Sequence, residues 1–366
     1  MEENLIYQIA LIKVPGVGSV TARNLLSYCG SAQAVFKAKK RDLLRIPGIG
    51  AQTADLLKQS AFVKEAEKEL EFLRQNDIRA LFYTDKAFPQ RLRHQHDCPF
   101  LLFSKGNADL NHQRMVSIIG TRAATATGRA ICEEIIEGLM PYGVHVVSGL
   151  AYGIDVIAHR KCISSAVPTI GVMGSGLAQI YPADHASVAR KMCENGALLS
   201  EYCSDTKARA EHFPMRNRIV AGMCDALIVV ETAGKGGSMI TADLAFGYNK
   251  DIFAVPGRVR DKYSEGCNRL IKTEKARLIE TAADVAYAMR WDEPAGSKLV
   301  QRQLFTTLEP DEKVLLDLIS ASAQPAIDEI SRASNFTPGE LATLLLSLEF
   351  KGAISALPGK RYTSVF

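Results

Sequence analysis

Short apolar runs alternate with amphipathic stretches through the middle of the chain. The apolar runs, several of which end in glycine, cover 116–120, 144–148, 168–173, 197–202, 225–231, 251–255 and 276–280. Helical periodicity is found at 128–140, 153–163, 184–194, 213–224, 237–249, 266–273 and 282–290. This alternation predicts an α/β fold, a Rossmann-like parallel sheet with right-handed helical crossovers. Ligands of such sheets bind at the carboxyl ends of the strands.

Two further strand-like segments, 78–82 and 100–103, precede these runs and are expected to extend the sheet on one side. We therefore assign residues 76–290 to one extended Rossmann-like domain.

A short pattern is duplicated within residues 1–75. Val-Pro-Gly-Val-Gly at 14–18 returns as Ile-Pro-Gly-Ile-Gly at 46–50, with helical periodicity on both sides of each copy. This repeat predicts a helix-hairpin-helix (SAM-like) domain, in which glycine turns expose main-chain N–H groups at a helix start. Such groups suit a phosphate oxygen, but the same motif often serves only for packing, and we favour packing here.

The C-terminal part is predicted to be a linker at 291–304 and a winged-helix-like domain at 305–366. Helical runs cover 311–321, 325–333 and 337–351, and a hairpin is expected from 353 to 365. The run at 337–351 is rich in leucine and poor in basic residues, so it lacks the charge for contact with duplex DNA. A protein-interaction or regulatory role is slightly favoured.

Composition sets broad limits on function. The 366 residues are 47% hydrophobic and 23% charged, with a net charge of +4, which permits a nucleic-acid partner without requiring one. No apolar run reaches the length of about eighteen residues needed to span a membrane. The eight cysteines form no C-x-x-C pair, so we expect reduced thiols in a cytoplasmic protein. His94-x-His96-x-Cys98 is more simply a coincidence than a metal site.

The first strand-to-helix loop departs from the dinucleotide-binding pattern. Gly120 is followed by Thr121 and Arg122, where the pattern requires a glycine for close approach of a pyrophosphate. The second strand ends in Ser-Gly at 148–149, without an acidic residue to bind a ribose. NAD is therefore disfavoured, and no cofactor is expected. A hydroxyl and a guanidinium at this edge suit a phosphate group instead.

The loop after the second strand contains Gly149, and the helix that follows it has an aspartate and a histidine four residues apart. Gly149 indicates close approach of another backbone or of a ligand, and we include it among the candidate DNA contacts. Asp155 and His159 are four residues apart on one helix face and could pair. We favour a helix cap bonded to a partly buried histidine over a catalytic pair, because no nucleophile accompanies them.

The residues best suited to bind a ligand lie at the starts of two later helices. Phe213, Arg216, Asn217 and Arg218 place a stackable ring, two guanidiniums and an amide in about one turn, which suits single-stranded nucleic acid. For Arg218 an ion pair with a strand-end glutamate, Glu201 or Glu231, is equally plausible.

The second of these helix starts belongs to the glycine-rich strand-to-helix loop at 231–241. Its N–H groups, with Lys235 as a point charge and Gly237 and Ser238 at the helix start, also suit a phosphate. It is not a Walker A loop, because Gly-Lys-[Ser/Thr] is absent.

These motifs, taken in order, resemble the DNA-processing protein A (DprA, or Smf) family over residues 88–285. The order is Gly-Thr-Arg, Ser-Gly-Leu-Ala-x-Gly-Ile-Asp-x-x-x-His, Gly-x-Gly-Leu-x-x-x-Tyr-Pro, Ser-Glu-Tyr, Phe-Pro-x-Arg-Asn-Arg-Ile, Gly-Ser-x-x-Thr-Ala, Val-Pro-Gly and Gly-x-Asn-x-Leu-Ile. The resemblance implies a non-catalytic homodimer that binds single-stranded DNA, protects it and loads RecA onto it during natural transformation. It also implies a DNA pocket built from Thr121, Arg122, Phe213, Arg216, Asn217, Gly237 and Ser238.

Two other classes of function are weighed against this one. A Rossmann-like nucleotide hydrolase of the phosphoribohydrolase type would carry Pro-Gly-Gly-x-Gly-Thr-x-x-Glu, but the comparable loop at 236–243 lacks both the Gly-Thr pair and the glutamate. A duplex-DNA regulator acting through the winged helix would need a basic recognition helix, which this chain lacks.

Overall fold

The computed structural model describes residues 2–291, 309–320, 325–351, 353–357 and 361–364. Its contacts divide the chain into two compact units, Met1–Ala295 and Gly296–Phe366, and each unit is described by itself. Within the described residues, no helix is long and apolar enough to cross a membrane. All eight cysteines are free thiols.

The first unit begins with six helices: α1 Glu2–Lys13, α2 Ser19–Cys29, α3 Ala32–Lys37, α4 Lys40–Leu43, α5 Ala51–Leu56 and α6 Ala61–Gln75. The repeated glycine turns connect α1 to α2 and α4 to α5. Gly16 and Gly48 have φ values of 82° and 84°, a left-handed conformation that glycine adopts at little cost. The valines and isoleucines of the repeat are buried, while its prolines and glycines are exposed. The repeated sequence therefore folds as the two predicted hairpins.

The first hairpin is bonded to the sheet domain. At the start of α2, the Ser19 hydroxyl donates to Glu201 over 2.6 Å and accepts the Phe100 N–H over 3.0 Å. The α6 carboxylate of Glu69 accepts both the N–H and the hydroxyl of Ser204 at 2.8 Å. The half-buried bonds of Ser19 support the packing role that we favour for this hairpin, and the bonds of Glu69 attach α6 to the same domain.

Nine strands among the described residues form one sheet: β1 Ile78–Phe82, β2 Leu101–Gly106, β3 Met115–Ile119, β4 His145–Ser148, β5 Thr169–Met173, β6 Ala197–Ser200, β7 Ala226–Val229, β8 Asp251–Ala254 and β9 Arg277–Leu278. Their order is β1-β2-β6-β5-β4-β3-β7-β8-β9. The seven strands β3 to β9 are all parallel. At the β6 edge, β2 pairs antiparallel with β6, and β1 pairs antiparallel with β2. The predicted parallel sheet and its extension on one side are confirmed.

Helices cover this sheet: α7 Gln90–Arg93, α8 Ala126–Leu139, α9 Ile154–Ser164, α10 Ala186–Asn195, α11 His212–Met223, α12 Gly237–Gly247, α13 Glu265–Lys272 and α14 Ala282–Ala288. The chain winds from β3 through β4 and β5 to β6, then returns to the other side of β3 with β7. The strand order therefore reverses between β3 and β7. In open α/β sheets, a crevice forms outside the carboxyl ends of the strands at such a reversal.

The second unit contains α15 Pro310–Ser320, α16 Ile327–Ala333 and α17 Pro338–Phe350, followed by the antiparallel strands β10 Ile354–Leu357 and β11 Arg361–Ser364. Thr337 and Glu340 form a capping box at the start of α17. The predicted helices and paired strands are confirmed. The turn expected at 358–360 and nearly all of the predicted linker, 292–304, lie outside the described residues.

Candidate nucleic-acid interface

An open cavity of about 640 Å³ lies at the carboxyl edge of the sheet, where the strand order reverses. The loops after β3 and β7 and the first turns of α11 and α12 form much of its wall. Nine of the ten candidate residues line it: Thr121, Arg122, Gly149, Phe213, Arg216, Asn217, Lys235, Gly237 and Ser238. The tenth, Arg218, does not. Residues that are distant in the sequence therefore converge on one cavity.

The loop after β3 is held by main-chain bonds on both sides. The Thr121 N–H donates to the Glu231 carbonyl over 2.6 Å, and the Thr121 carbonyl accepts the Ile154 N–H over 3.1 Å. Gly153, at φ 78°, lies so close that an added Cβ would overlap the backbone of Thr121 and Arg122. This packing fixes the position of the loop, so Arg122 is exposed but its backbone is constrained.

Arg122 and Phe213 form a mixed cationic and aromatic surface in the cavity. The Arg122 guanidinium carbon lies 5.6 Å from the centroid of the Phe213 ring, within cation–π distance. Phe213 is half-buried and packs against Gly174, where a Cβ would lie 3.1 Å from the ring. The ring is therefore held in place while the guanidinium remains open to solvent.

Arg216 lies beneath this surface and is almost completely buried, with 4% of its surface exposed. Its Nη1 donates to the Val172 carbonyl over 2.7 Å, and its Nε has no partner. A Cβ added at Gly149 would overlap the Arg216 guanidinium. The close approach that we expected at Gly149 is therefore made by this side chain, and Gly149 acts by leaving room for it.

Asp155 accompanies Arg216 at the base of the cavity. Burial raises the pKa of Asp155, whereas the Arg216 charge and the N–H groups of Ala151 and Gly149 lower it. Burial also lowers the pKa of Arg216, and Asp155 opposes that effect. The two charges therefore compensate each other where water is largely excluded. Among the residues that line the cavity, Asp155 is the only acid.

The expected pairing of Asp155 with His159 is wrong. The His159 Nδ1 shares a 2.7 Å hydrogen bond with the Thr169 hydroxyl, and its Nε2 has no partner. Burial, with contributions from Arg216 and His185, lowers the pKa of His159 to about 3. The ring is therefore neutral and completely buried, and it has a structural role.

The loop after β7 supplies main-chain N–H groups at the start of α12. No side chain caps this helix, and Gly236 precedes it at φ 155°. The Ser238 and Thr232 hydroxyls share a 2.6 Å hydrogen bond, and the Asn217 amide donates to the Gly237 carbonyl over 3.3 Å. Lys235 is exposed beside this turn. These N–H groups face the cavity at a helix start, where an anion-binding turn remains a prediction.

Arg218 has to be left out of the proposed site. Its Nη1 donates to the Asp97 carbonyl over 2.7 Å, and its guanidinium forms an ion pair with Glu201. Its side chain is 7% exposed, and it lies outside the cavity lining. The ion-pair alternative describes this residue.

Replacing Arg218 by alanine should reduce stability without changing DNA binding. Loss of one partner leaves the Glu201 carboxylate uncompensated where only 16% of its side chain is exposed. Such a loss typically costs about 3–5 kcal/mol. Urea unfolding and oligonucleotide binding of the same preparation measure both effects. A lower salt dependence of binding in Arg218→Ala would contradict this assignment.

Lys262 and Tyr263, from the loop between β8 and α13, also line the cavity and were not predicted from the sequence. The Lys262 Nζ lies 5.6 Å from the Tyr263 ring centroid. A cluster of basic residues with an adjacent tyrosine, Arg258 to Tyr263, was the available signal. The strand-end acid Glu231 accepts the N–H and hydroxyl of Thr125 over 3.0 and 2.6 Å, so it supports the start of α8.

Comparison with known proteins identifies the family. The model described as DNA recombination-mediator protein A matches residues 79–290, more than half of the chain. The chain belongs to this family. Models for a SAM-like helix-hairpin-helix tandem and a DprA winged helix domain match residues 9–61 and 302–360. The family resemblance and both predicted flanking folds are thereby confirmed.

Individual members of the family resemble the chain over most of its length. The DNA processing protein DprA of Bacillus subtilis (strain 168) is 35% identical over 258 residues, which are 68% of this chain and 86% of the relative. The X-ray structure of DprA from Streptococcus pneumoniae has a TM-score of 0.63 at 30% identity, covering 78% of this chain and 98% of that one. A structure of DprA from Helicobacter pylori concerns its single-stranded DNA binding mode. It has a TM-score of 0.54 at 30% identity and covers 59% and 97% of the two chains.

Proposed function

We propose that this protein binds single-stranded DNA in the cavity, protects incoming DNA and loads the RecA recombinase onto it during natural transformation. It does so as a non-catalytic cytoplasmic homodimer. The observation that carries the DNA-binding part is the convergence of Arg122, Arg216, Lys235 and Lys262 with the Phe213 ring on one cavity. The RecA and dimer parts rest on membership of the family.

The chemistry of the cavity favours a single strand. Exposed guanidinium and ammonium groups, with the free N–H groups of α12, suit the phosphate backbone. Phe213 offers a ring face on which a base can stack. In a duplex the bases are paired and stacked internally, so this ring would have no base to contact. Single-stranded DNA is therefore the ligand that uses both features.

Binding rather than hydrolysis is the better proposal for this cavity. The Asp155 carboxylate is buried against Arg216, so it is poorly placed to act as a general acid or base. At the position of the hydrolase loop, the Asp243 carboxylate instead accepts a 2.7 Å hydrogen bond from Lys275. Neither carboxylate is free to assist cleavage of a nucleotide.

A mobility-shift experiment with matched single-stranded and duplex oligonucleotides, with and without RecA, tests the proposal. We expect the single strand to be shifted at a concentration at least about tenfold lower than the duplex, because only its bases can stack. RecA should then form filaments faster on the bound strand. Equal affinity for the duplex would overturn the DNA-binding part, and unchanged filament formation would overturn the RecA part. Release of adenine from AMP would favour the hydrolase instead.

A further inference from the structure

Two exposed tyrosines continue the aromatic surface of the cavity. The Tyr181 ring centroid lies 5.6 Å from that of Phe213, with the planes tilted by 41°. Tyr181 is 50% exposed and Tyr152 is 45% exposed. Neither tyrosine lines the cavity itself. We call Phe213, Tyr181 and Tyr152 the aromatic strip.

The outer end of the strip is held by neighbouring side chains. The Tyr152 hydroxyl donates to the Asp184 carboxylate over 3.0 Å, and its ring meets the His185 ring edge-to-face at 4.9 Å. Asp184 and His185 follow Tyr181 by three and four residues, so Tyr152 packs against the segment that carries Tyr181. These contacts limit rotation of the Tyr152 ring and keep one side of it exposed.

The charge of the strip indicates which part of a nucleic acid it contacts. Arg122 lies against Phe213 at the inner end, but the side chain bonded to the strip at its outer end is the acid Asp184. An acid repels phosphate, whereas the face of a tyrosine ring attracts a base. The strip therefore suits bases, in contrast to the cationic cavity from which it extends.

We propose that Tyr181 and Tyr152 stack the bases of nucleotides that leave the cavity past Phe213. This inference rests on the proposed function, because it requires a single strand in the cavity. Phe213 and Tyr181 are already in contact, so a base stacks on the outer face of Tyr181 rather than between the two rings. The strip thereby lengthens the bound segment beyond the cavity without adding phosphate contacts.

Tyr181→Ala, Tyr181→Phe and the control Tyr28→Ala test the proposal by fluorescence anisotropy with labelled oligo-dT. Tyr28 is 62% exposed on α2, outside the cavity lining, so it matches Tyr181 in type and exposure. We expect Tyr181→Ala to weaken binding of long oligonucleotides about tenfold, with little change in the logarithmic salt slope. Tyr181→Phe should restore the affinity, and Tyr28→Ala should leave it unchanged.

An abasic scan adds a second readout that a merely structural role would not change. A single abasic site moved along the oligonucleotide should weaken wild-type binding at one or two positions. The same abasic sites should have no further effect on Tyr181→Ala, because the base they remove no longer stacks there. Additive losses, or a loss of affinity in Tyr181→Phe equal to that in Tyr181→Ala, would overturn the proposal.

The outcomes separate this inference from the proposed function. If the strip stacks no base, Tyr181→Ala still binds single-stranded DNA with wild-type affinity, and the cavity remains the site. If the proposed function is wrong, the wild-type protein itself fails to prefer single strands. If Tyr181→Ala elutes as a monomer and keeps its affinity per protomer, the strip is a contact surface between copies of this chain. That result would also overturn base stacking.

Discussion

Replacing Arg122 and Lys235 together by alanine is expected to weaken binding of single-stranded DNA by about a hundredfold or more near physiological salt, since each hydrogen bond to a charged group contributes about 1.5–3 kcal/mol. Both side chains are exposed and line the same cavity. Each phosphate contact on a single strand contributes about 0.7 to the slope of log affinity against log salt concentration. Loss of two contacts should therefore reduce that slope by about 1.4.

A charge-matched control separates this local effect from the overall loss of positive charge. Arg190→Ala with Lys191→Ala also removes two positive charges, from exposed positions on α10 outside the cavity lining. Anisotropy titrations from about 50 to about 200 mM salt give both affinity and slope. The cavity is not the DNA-binding site if the Arg122 and Lys235 double variant keeps the wild-type salt slope, or if the control variant loses as much affinity.

Replacing Arg216 by alanine is expected to destabilise the first unit by about 3–5 kcal/mol near neutral pH, because it leaves a buried carboxylate without the positive charge that compensates it. Asp155 is 8% exposed, and the Arg216 charge lowers its pKa against the effect of burial. Without Arg216 the pKa of Asp155 rises further. A group whose pKa is higher in the folded than in the unfolded state stabilises the fold only at low pH.

The stability deficit of Arg216→Ala should therefore depend on pH. The deficit should be smallest near pH 4, which is about the pKa of aspartate in the unfolded chain. It should grow as the pH rises through the raised pKa of Asp155 in the folded protein. Urea unfolding at about pH 5 and about pH 8 measures this difference. Asp155→Asn in the Arg216→Ala background removes the charge at nearly constant volume, so it should recover much of the loss at the higher pH. A deficit that is the same at both pH values and unaffected by Asp155→Asn would contradict the charge compensation between Arg216 and Asp155.

The elements of the sheet domain could be predicted because their signals are local. Apolar runs with β-branched residues determined the strands, and turn glycines with helical periodicity determined the helices between them. The duplicated glycine turn likewise specified two hairpins, since Gly16 and Gly48 adopt a conformation that other residues rarely do. In both cases residues close together in the sequence determine the element, so it could be predicted without knowledge of tertiary contacts.

The composition of the cavity could be predicted only in part. Thr121 and Arg122 come directly after a strand, so they follow from the rule that the carboxyl ends of parallel strands meet at one edge of a sheet. Phe213 was predicted from the residues at the start of α11. Lys262 and Tyr263 come from a loop whose course is not set by local sequence, so their approach to the cavity was not predicted.

The two arginines on α11 show what the sequence determined and what only the tertiary structure decided. The sequence determined that Arg216 and Arg218 lie in one helix turn and, at about 100° per residue, point about 200° apart. Only the packing of α11 against the sheet decided that Arg216 faces the cavity above Asp155 while Arg218 pairs with Glu201. Helical phase is a property of neighbouring residues, whereas the burial and charge around each side chain come from segments far away in the chain. Short sequence motifs therefore determined which chemical groups are available to the cavity, but the fold determined the partner of each charged side chain.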